Sequence, residues 1–188
     1  FKIVETICRT VNEQRNNFNC HVNLIVIMSR NLGMEKCQLE LDAGLKFQKQ
    51  GVIGIDLAGD EYNFPGELFV KQFQQAKAAG MRLTCHAGEV AGPESVRQAV
   101  EGLKAERIGH GVNAIKDKRV LDLLAEKGVT LEVCPTSNLQ TNTVGSYAEH
   151  PMEKLHDAGV KVTLNTDDPG ISNIDMKHEL KIVQSELL

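Results

Sequence analysis

What most constrains this chain is a rhythm. Short apolar runs recur about every 25–30 residues, over 22–28, 52–57, 81–85, around 107–108, 129–133 and 160–164, the first of them rich in β-branched residues. Helical patterns lie between them. Residues 2–17 carry Ile3, Val4, Ile7 and Val11 at helical spacing, with Asn16-Asn17 as a stop. Residues 33–50 carry Met34, Cys37, Leu41 and Leu45 on one face. Further helices are expected over 67–79, from Pro93-Glu94, over 117–127, over 152–158 and from 173 to 188, with Gly80, Gly128 and Gly159 as stops. A run such as 22–28 predicts a strand buried on both faces, as in a parallel sheet. Parallel neighbours need a crossover of a dozen or more residues, and each interval supplies one.

Six β/α units suit two architectures: an open doubly wound sheet, or part of a TIM-type (β/α)8 barrel. A complete barrel usually takes about 250 residues, so 188 residues would be an incomplete one. Polar residues follow every strand and decide between the two. They are Ser29-Arg30, the stretch 56–61, the stretch 86–89, His110, the stretch 136–138 and Asp167-Asp168. In a barrel all strand C-termini face one mouth, so these clusters converge. An open sheet gathers ligands mainly at its switch point and would waste the distant ones. The expectation is an α/β chain, residues 1–188 forming one partial barrel domain with no internal linker.

Composition removes other classes. The net charge of -4, with no basic cluster interleaved with aromatics, argues against a nucleic-acid or anionic-membrane binder. No apolar run approaches membrane-spanning length. Five cysteines in irregular positions, without a CxxC, suggest neither a disulfide framework nor a thiolate zinc site. Buried reduced thiols in a cytoplasmic protein are expected.

Three stretches carry the chemistry. In Thr84-Cys85-His86-Ala87-Gly88-Glu89 an imidazole ends a strand and a carboxylate follows three residues later. Gly88 lets the chain turn sharply and bring Glu89 back over the strand end. Taken alone, His86 could be a hydrogen-bonded strand-end histidine and Glu89 a first-turn helix residue. Pro93, which sets a later helix start, weakens the second of these. In Arg107-Ile108-Gly109-His110-Gly111, glycines flank an imidazole able to act as a base or electrostatic partner. The same stretch matches G-x-G-x-x-A, but its strand is short and charged and no helix opens from it, so a dinucleotide site is rejected. In Asn165-Thr166-Asp167-Asp168-Pro169, two adjacent carboxylates repel unless a cation offsets them. That pair serves equally well as an Asx turn. Imidazoles and carboxylates without thiolates suit zinc or iron, zinc being favoured. The residues themselves lead to metal-assisted hydrolysis, with Glu89 and His110 as proton-transfer candidates. His150, His156 and His178 follow no expected strand and read as surface or helix residues.

The motifs His86-Ala87-Gly88-Glu89, Arg107-Ile108-Gly109-His110-Gly111 and Asn165-Thr166-Asp167-Asp168-Pro169 resemble the adenosine deaminase family of the amidohydrolase superfamily, its bacterial form above all. Residues 55–61 and Pro135-Thr136-Ser137-Asn138 fit it too, in family order from residue 52 to 170. The resemblance implies zinc-dependent hydrolysis of adenosine to inosine and ammonia, in purine metabolism. It implies His86 and Asp167 as zinc ligands, with Asp167 also orienting the attacking water. Glu89 would protonate the purine ring nitrogen beside the reacting carbon. His110 would orient, deprotonate or electrostatically stabilise the water. Asp168 and the Gly59 backbone N–H would bind the purine ring. The family's first strand carries two further ligands in a His-x-His motif, and no such motif occurs here; His21 is followed two residues later by Asn23. By unit count the chain resembles strands 3–8 of the barrel. Turnover of adenine or of an adenine nucleotide, and a catalytically incomplete binding unit, are the alternatives.

Overall fold

A computed structural model describes residues 1–15, 17, 18 and 20–187. Six strands form one sheet: β1 (Leu24–Ser29), β2 (Val52–Ala58), β3 (Arg82–Ala87), β4 (Arg107–His110), β5 (Thr130–Val133) and β6 (Lys161–Leu164). All neighbours are parallel, and their order in space is their order in the chain. A sheet whose order never reverses has no switch point. It follows the path of a barrel, not of a doubly wound sheet, and all six C-terminal ends lie together. Among the described residues β1 and β6 are its two edges.

The helices are α1 (Lys2–Gln14), α2 (Met34–Lys46), α3 (Val70–Ala78), α4 (Pro93–Glu101), α5 (Lys118–Lys127), α6 (Pro135–Gln140), α7 (Met152–Asp157), α8 (Pro169–Ser172) and α9 (Met176–Ile182). The core lies between sheet and helices. Met28, Ile55, Leu57, Leu83, Ile108 and Leu131 pack there with Leu41, Phe73, Val96, Leu124 and Leu155. Burying each such side chain contributes about 1.5–3 kcal/mol. The other face of β1 differs from expectation. Ile25 and Ile27 are 43% and 50% exposed, because no described element packs over them.

Several boundaries shift for local reasons. β3 extends two residues further than its apolar run, so His86 lies inside the strand. The stretch 135–140 is helical, although it lacks apolar periodicity; Pro135 occupies the first turn, where its missing N–H costs nothing. α9 starts later than residue 173, capped by the Asp175 carboxylate accepting the His178 N–H at 2.8 Å. It passes into a π-turn, Val183–Leu187. Of the expected helix stops, Asn16 lies outside the described residues, as does Leu188 at the expected end of the last helix. Gly111 opens a short 3-10 turn, Val112–Lys116, and α5 begins only at Lys118, so the G-x-G-x-x-A match does not open an α-helix.

Arg30 is the clearest departure. Its neighbour Ser29 and the arginine itself were expected at the mouth. Instead Arg30 is 1% exposed and bridges two strands. β2 and β3 are in register only at Gly54–Arg82 and Ile55–Leu83. Beyond these pairs the guanidinium stands in for the ladder: Nη2 donates to Leu57 O at 3.0 Å and His86 O at 2.7 Å, and Nη1 to Phe64 O at 3.1 Å. An arginine can satisfy several divergent carbonyls at once because its donors form a rigid fork. All five cysteines are free, four of them buried and Cys20 exposed. Among the described residues no helix is long and apolar enough to cross a membrane.

Candidate active site

β3 carries His86, and its register partner in β4 is Gly109. The pairing explains the glycine. A Cβ at residue 109 would come within 2.8 Å of His86 Nδ1, so only glycine leaves room for the ring. Asp56, buried on β2, places Oδ2 2.9 Å from the same Nδ1. Burial opposes protonation of His86, but Asp56, then Asp167 and Glu89, outweigh it and raise the pKa to about 9.

His110 ends β4 with φ 61°, which breaks the strand's alternation at that residue. Its ring centroid lies 5.0 Å from that of His86, edge to face. Its Nε2 is 3.5 Å from Glu89 Oε2 and 3.7 Å from Asp167 Oδ2. Burial lowers its pKa, the Glu89 carboxylate opposes, and His86 adds to the lowering. Asp167 follows β6, also with a positive φ of 54°, and accepts the Ser137 hydroxyl at 2.7 Å. Ser137 and its neighbour Asn138 sit on α6, so the helix without apolar periodicity supports both Asp167 and His110.

Glu89 is held by a second acid. The Glu61 carboxylate accepts the backbone N–H groups of Gly88, Glu89, Val90 and Ala91, the last three at 3.2, 3.0 and 3.1 Å. Gly88 has φ 70°, the left-handed turn its flexibility was expected to provide. From the other side the Asn113 amide donates to Glu89 O at 2.9 Å and Ala91 O at 3.1 Å. A turn with its donors and acceptors both engaged is fixed, and Glu89 is fixed with it.

The structure thus brings His86, Glu89, His110 and Asp167 to one place. His86, His110 and Asp167 border a cavity of about 280 Å³, lined also by Gly109, Glu132 and Asn165 among others, while Glu89 reaches the group through His110. Asp168 precedes α8, is exposed, and does not line this cavity. Gly59 follows β2 with φ 108°; a Cβ there would come 2.0 Å from Asn31 Oδ1, so the backbone passes too close for a side chain. A larger hollow of about 700 Å³ lies at the N-terminal strand ends, between Arg82, Arg107 and Lys127, and contains none of these residues.

Position at or just past a strand's C-terminal end was the signal for Asp56, Glu61, Ser137 and Asn138, but not for their roles as supports. His150 gave no signal at all. Expected at the surface or on a helix, it is 6% exposed and hydrogen-bonded through Nε2 to Asn138 Oδ1 at 3.2 Å.

One ligand atom each from His86, His110 and Asp167 lie within 4.8 Å of one another. Two nitrogens and an oxygen, with no sulfur, are donors that fit zinc. Whether His110 ligates or donates depends on which ring nitrogen carries its proton.

The family model described as Adenosine deaminase matches residues 1–187. A curated protein named adenosine deaminase from Shewanella denitrificans is 50% identical over 98% of this chain and 56% of its own length. One from Serratia proteamaculans is 48% identical over 94% of this chain and 53% of its own. The chain therefore spans just over half the length of the curated relatives it matches. Among solved structures, an adenine deaminase from Arthrobacter aurescens superposes with TM-score 0.86 at 27% identity, over 98% of this chain and 56% of that one. An amidohydrolase from Burkholderia ambifaria, with bound Zn, gives TM-score 0.86 at 28% identity, over 94% and 50%.

Proposed function

The chain belongs to the adenosine deaminase family, and from that membership and its site geometry we propose that the protein hydrolyses adenosine and deoxyadenosine to inosine and ammonia. The observation that carries the reading is the meeting of His86, His110 and Asp167 within 4.8 Å, with the Glu89 carboxylate 3.5 Å from His110. His86 and Asp167 would hold a zinc ion, which would supply a Lewis acid able to bring the pKa of a water towards about 7. Asp56 sits behind His86 as an outer carboxylate that fixes ring orientation. Glu89 donates a proton to the purine ring nitrogen beside the reacting carbon, which makes that carbon electrophilic. Asp167 orients the attacking water, and Ser137 holds Asp167 in place. Asp168 and the Gly59 N–H bind the purine ring. The substrate is a small purine nucleoside, not a nucleic acid or a membrane lipid, and the protein whose residues 1–188 form this partial barrel domain works in the cytoplasm in purine metabolism.

A second reading, adenine as substrate, is favoured by the likeness to the Arthrobacter adenine deaminase. Turnover of adenosine, adenine and AMP by the complete protein separates the two. A preference for adenosine is expected; equal or better turnover of adenine overturns the first reading.

A further inference from the structure

The tautomer of His110 is set from outside the site, by a chain of hydrogen bonds that begins at a backbone amide. The Met152 N–H donates to His150 Nδ1 at 3.2 Å. A backbone N–H can only donate, so Nδ1 of His150 is a bare acceptor and the neutral ring carries its proton on Nε2. That Nε2–H faces the Asn138 side chain at 3.2 Å and requires an acceptor there, which must be Oδ1. The amide group of Asn138 is thereby turned the other way, and its Nδ2 meets His110 Nδ1 at 3.0 Å. An NH₂ can only donate. Nδ1 of His110 is therefore an acceptor, and neutral His110 carries its proton on Nε2, the nitrogen facing Glu89 and Asp167. His110, Asn138 and His150 are all buried, so water does not compete for these bonds.

We propose that His150 is a positioning residue which, through Asn138, fixes the His110 proton on Nε2, so that neutral His110 presents an N–H donor to the site. In that state His110 is neither a metal ligand through Nε2 nor a base; it can only hydrogen-bond or stabilise an oxygen placed between Glu89 and Asp167. For Nε2 to be bare, the proton would have to move to Nδ1 and the Asn138 amide would have to turn over. Its NH₂ would then confront His150 Nε2–H, donor against donor, with His150 unable to move its own proton without losing Met152. One backbone amide thus biases a proton three groups away. The placement does not depend on which substrate is turned over.

The test is spectroscopic. Two-bond ¹H–¹⁵N correlation spectra of the full chain, labelled with ¹⁵N-histidine, metal-free and near neutral pH, distinguish the two tautomers of each ring. Both His110 and His150 are expected as Nε2–H. Asn138→Asp offers only acceptors, so His110 is expected to switch to Nδ1–H while His150 stays Nε2–H. His150→Gln keeps a donor towards Asn138 and is expected to preserve the His110 tautomer. His150→Leu is expected to release it into a mixture. Nδ1–H on His110 in the unaltered protein overturns the proposal. So does a His110 signal that is the same in the Gln and Leu variants of His150, a comparison that stands even if Asn138→Asp fails to fold.

Discussion

The Glu61 carboxylate accepts the backbone N–H of Glu89 at 3.2 Å, so one acid, itself buried, positions another. Four amides of the 88–91 turn converge on Glu61. Glu61→Gln replaces one of the two acceptor oxygens by a donor that faces N–H groups. Hydrogen bonds to charged groups contribute roughly 1.5–3 kcal/mol each. A stability loss of about 2–4 kcal/mol is expected, read as a lower urea midpoint, together with at least about a tenfold fall in turnover. Unchanged values of both would mean that the turn holds itself.

Glu89→Gln keeps the size of the side chain and removes the proton. Turnover by the complete protein is expected to fall about 10²–10⁴-fold, the range of general acid–base catalysis, while zinc content stays the same. Activity near that of the unaltered enzyme would show that the ring nitrogen gets its proton elsewhere.

Zinc retention after dialysis is expected to depend on His86 and Asp167 and not on His110. His86→Ala and Asp167→Ala should weaken zinc binding by more than about 100-fold, since even outer partners of a metal site are worth 10–100-fold. His110→Ala should leave the stoichiometry of the complete protein unchanged. Metal analysis that finds zinc lost from the His110 variant makes that residue a ligand.

His150 predicts a pH dependence of stability. Burial pushes its pKa from 6.5 down to about 4. Between those values the unfolded chain binds a proton that the folded chain refuses, so stability falls as pH drops from about 6.5 to about 4 and this contribution is constant below. A shift of this size is worth on the order of 3 kcal/mol. His150→Gln should remove that part of the slope, seen as converging denaturation midpoints of the two proteins at low pH. Parallel curves for the two proteins would mean that His150 is free to protonate in the folded state.

Much of this was legible one residue at a time. Strand and helix periods depend on local side-chain patterning, so the six β/α units and their order could be read without any contact between them. A residue just past an apolar run must lie at the C-terminal end of a strand, which is why His86, Glu89, His110 and Asp167 could be brought towards one mouth from spacing alone. Arg30 obeys the same rule and still does something else. Its guanidinium is taken up by Leu57 O and His86 O beyond the two residue pairs at which β2 and β3 are in register, and where that pairing stops depends on two strands about 30 residues apart in the chain, not on the residues around Arg30.

The sequence by itself determined that a barrel path would form and which polar side chains it would deliver to one end, because both follow from periodicities of a few residues. Only the tertiary structure decided how those side chains are held and which protons they carry. Glu61 reaches the amides of a turn 27 to 30 residues ahead of it, and His150 acts on His110 through Asn138 across 40 residues of chain. Hydrogen-bond direction is a matter of which donor meets which acceptor after folding, and no local pattern records it.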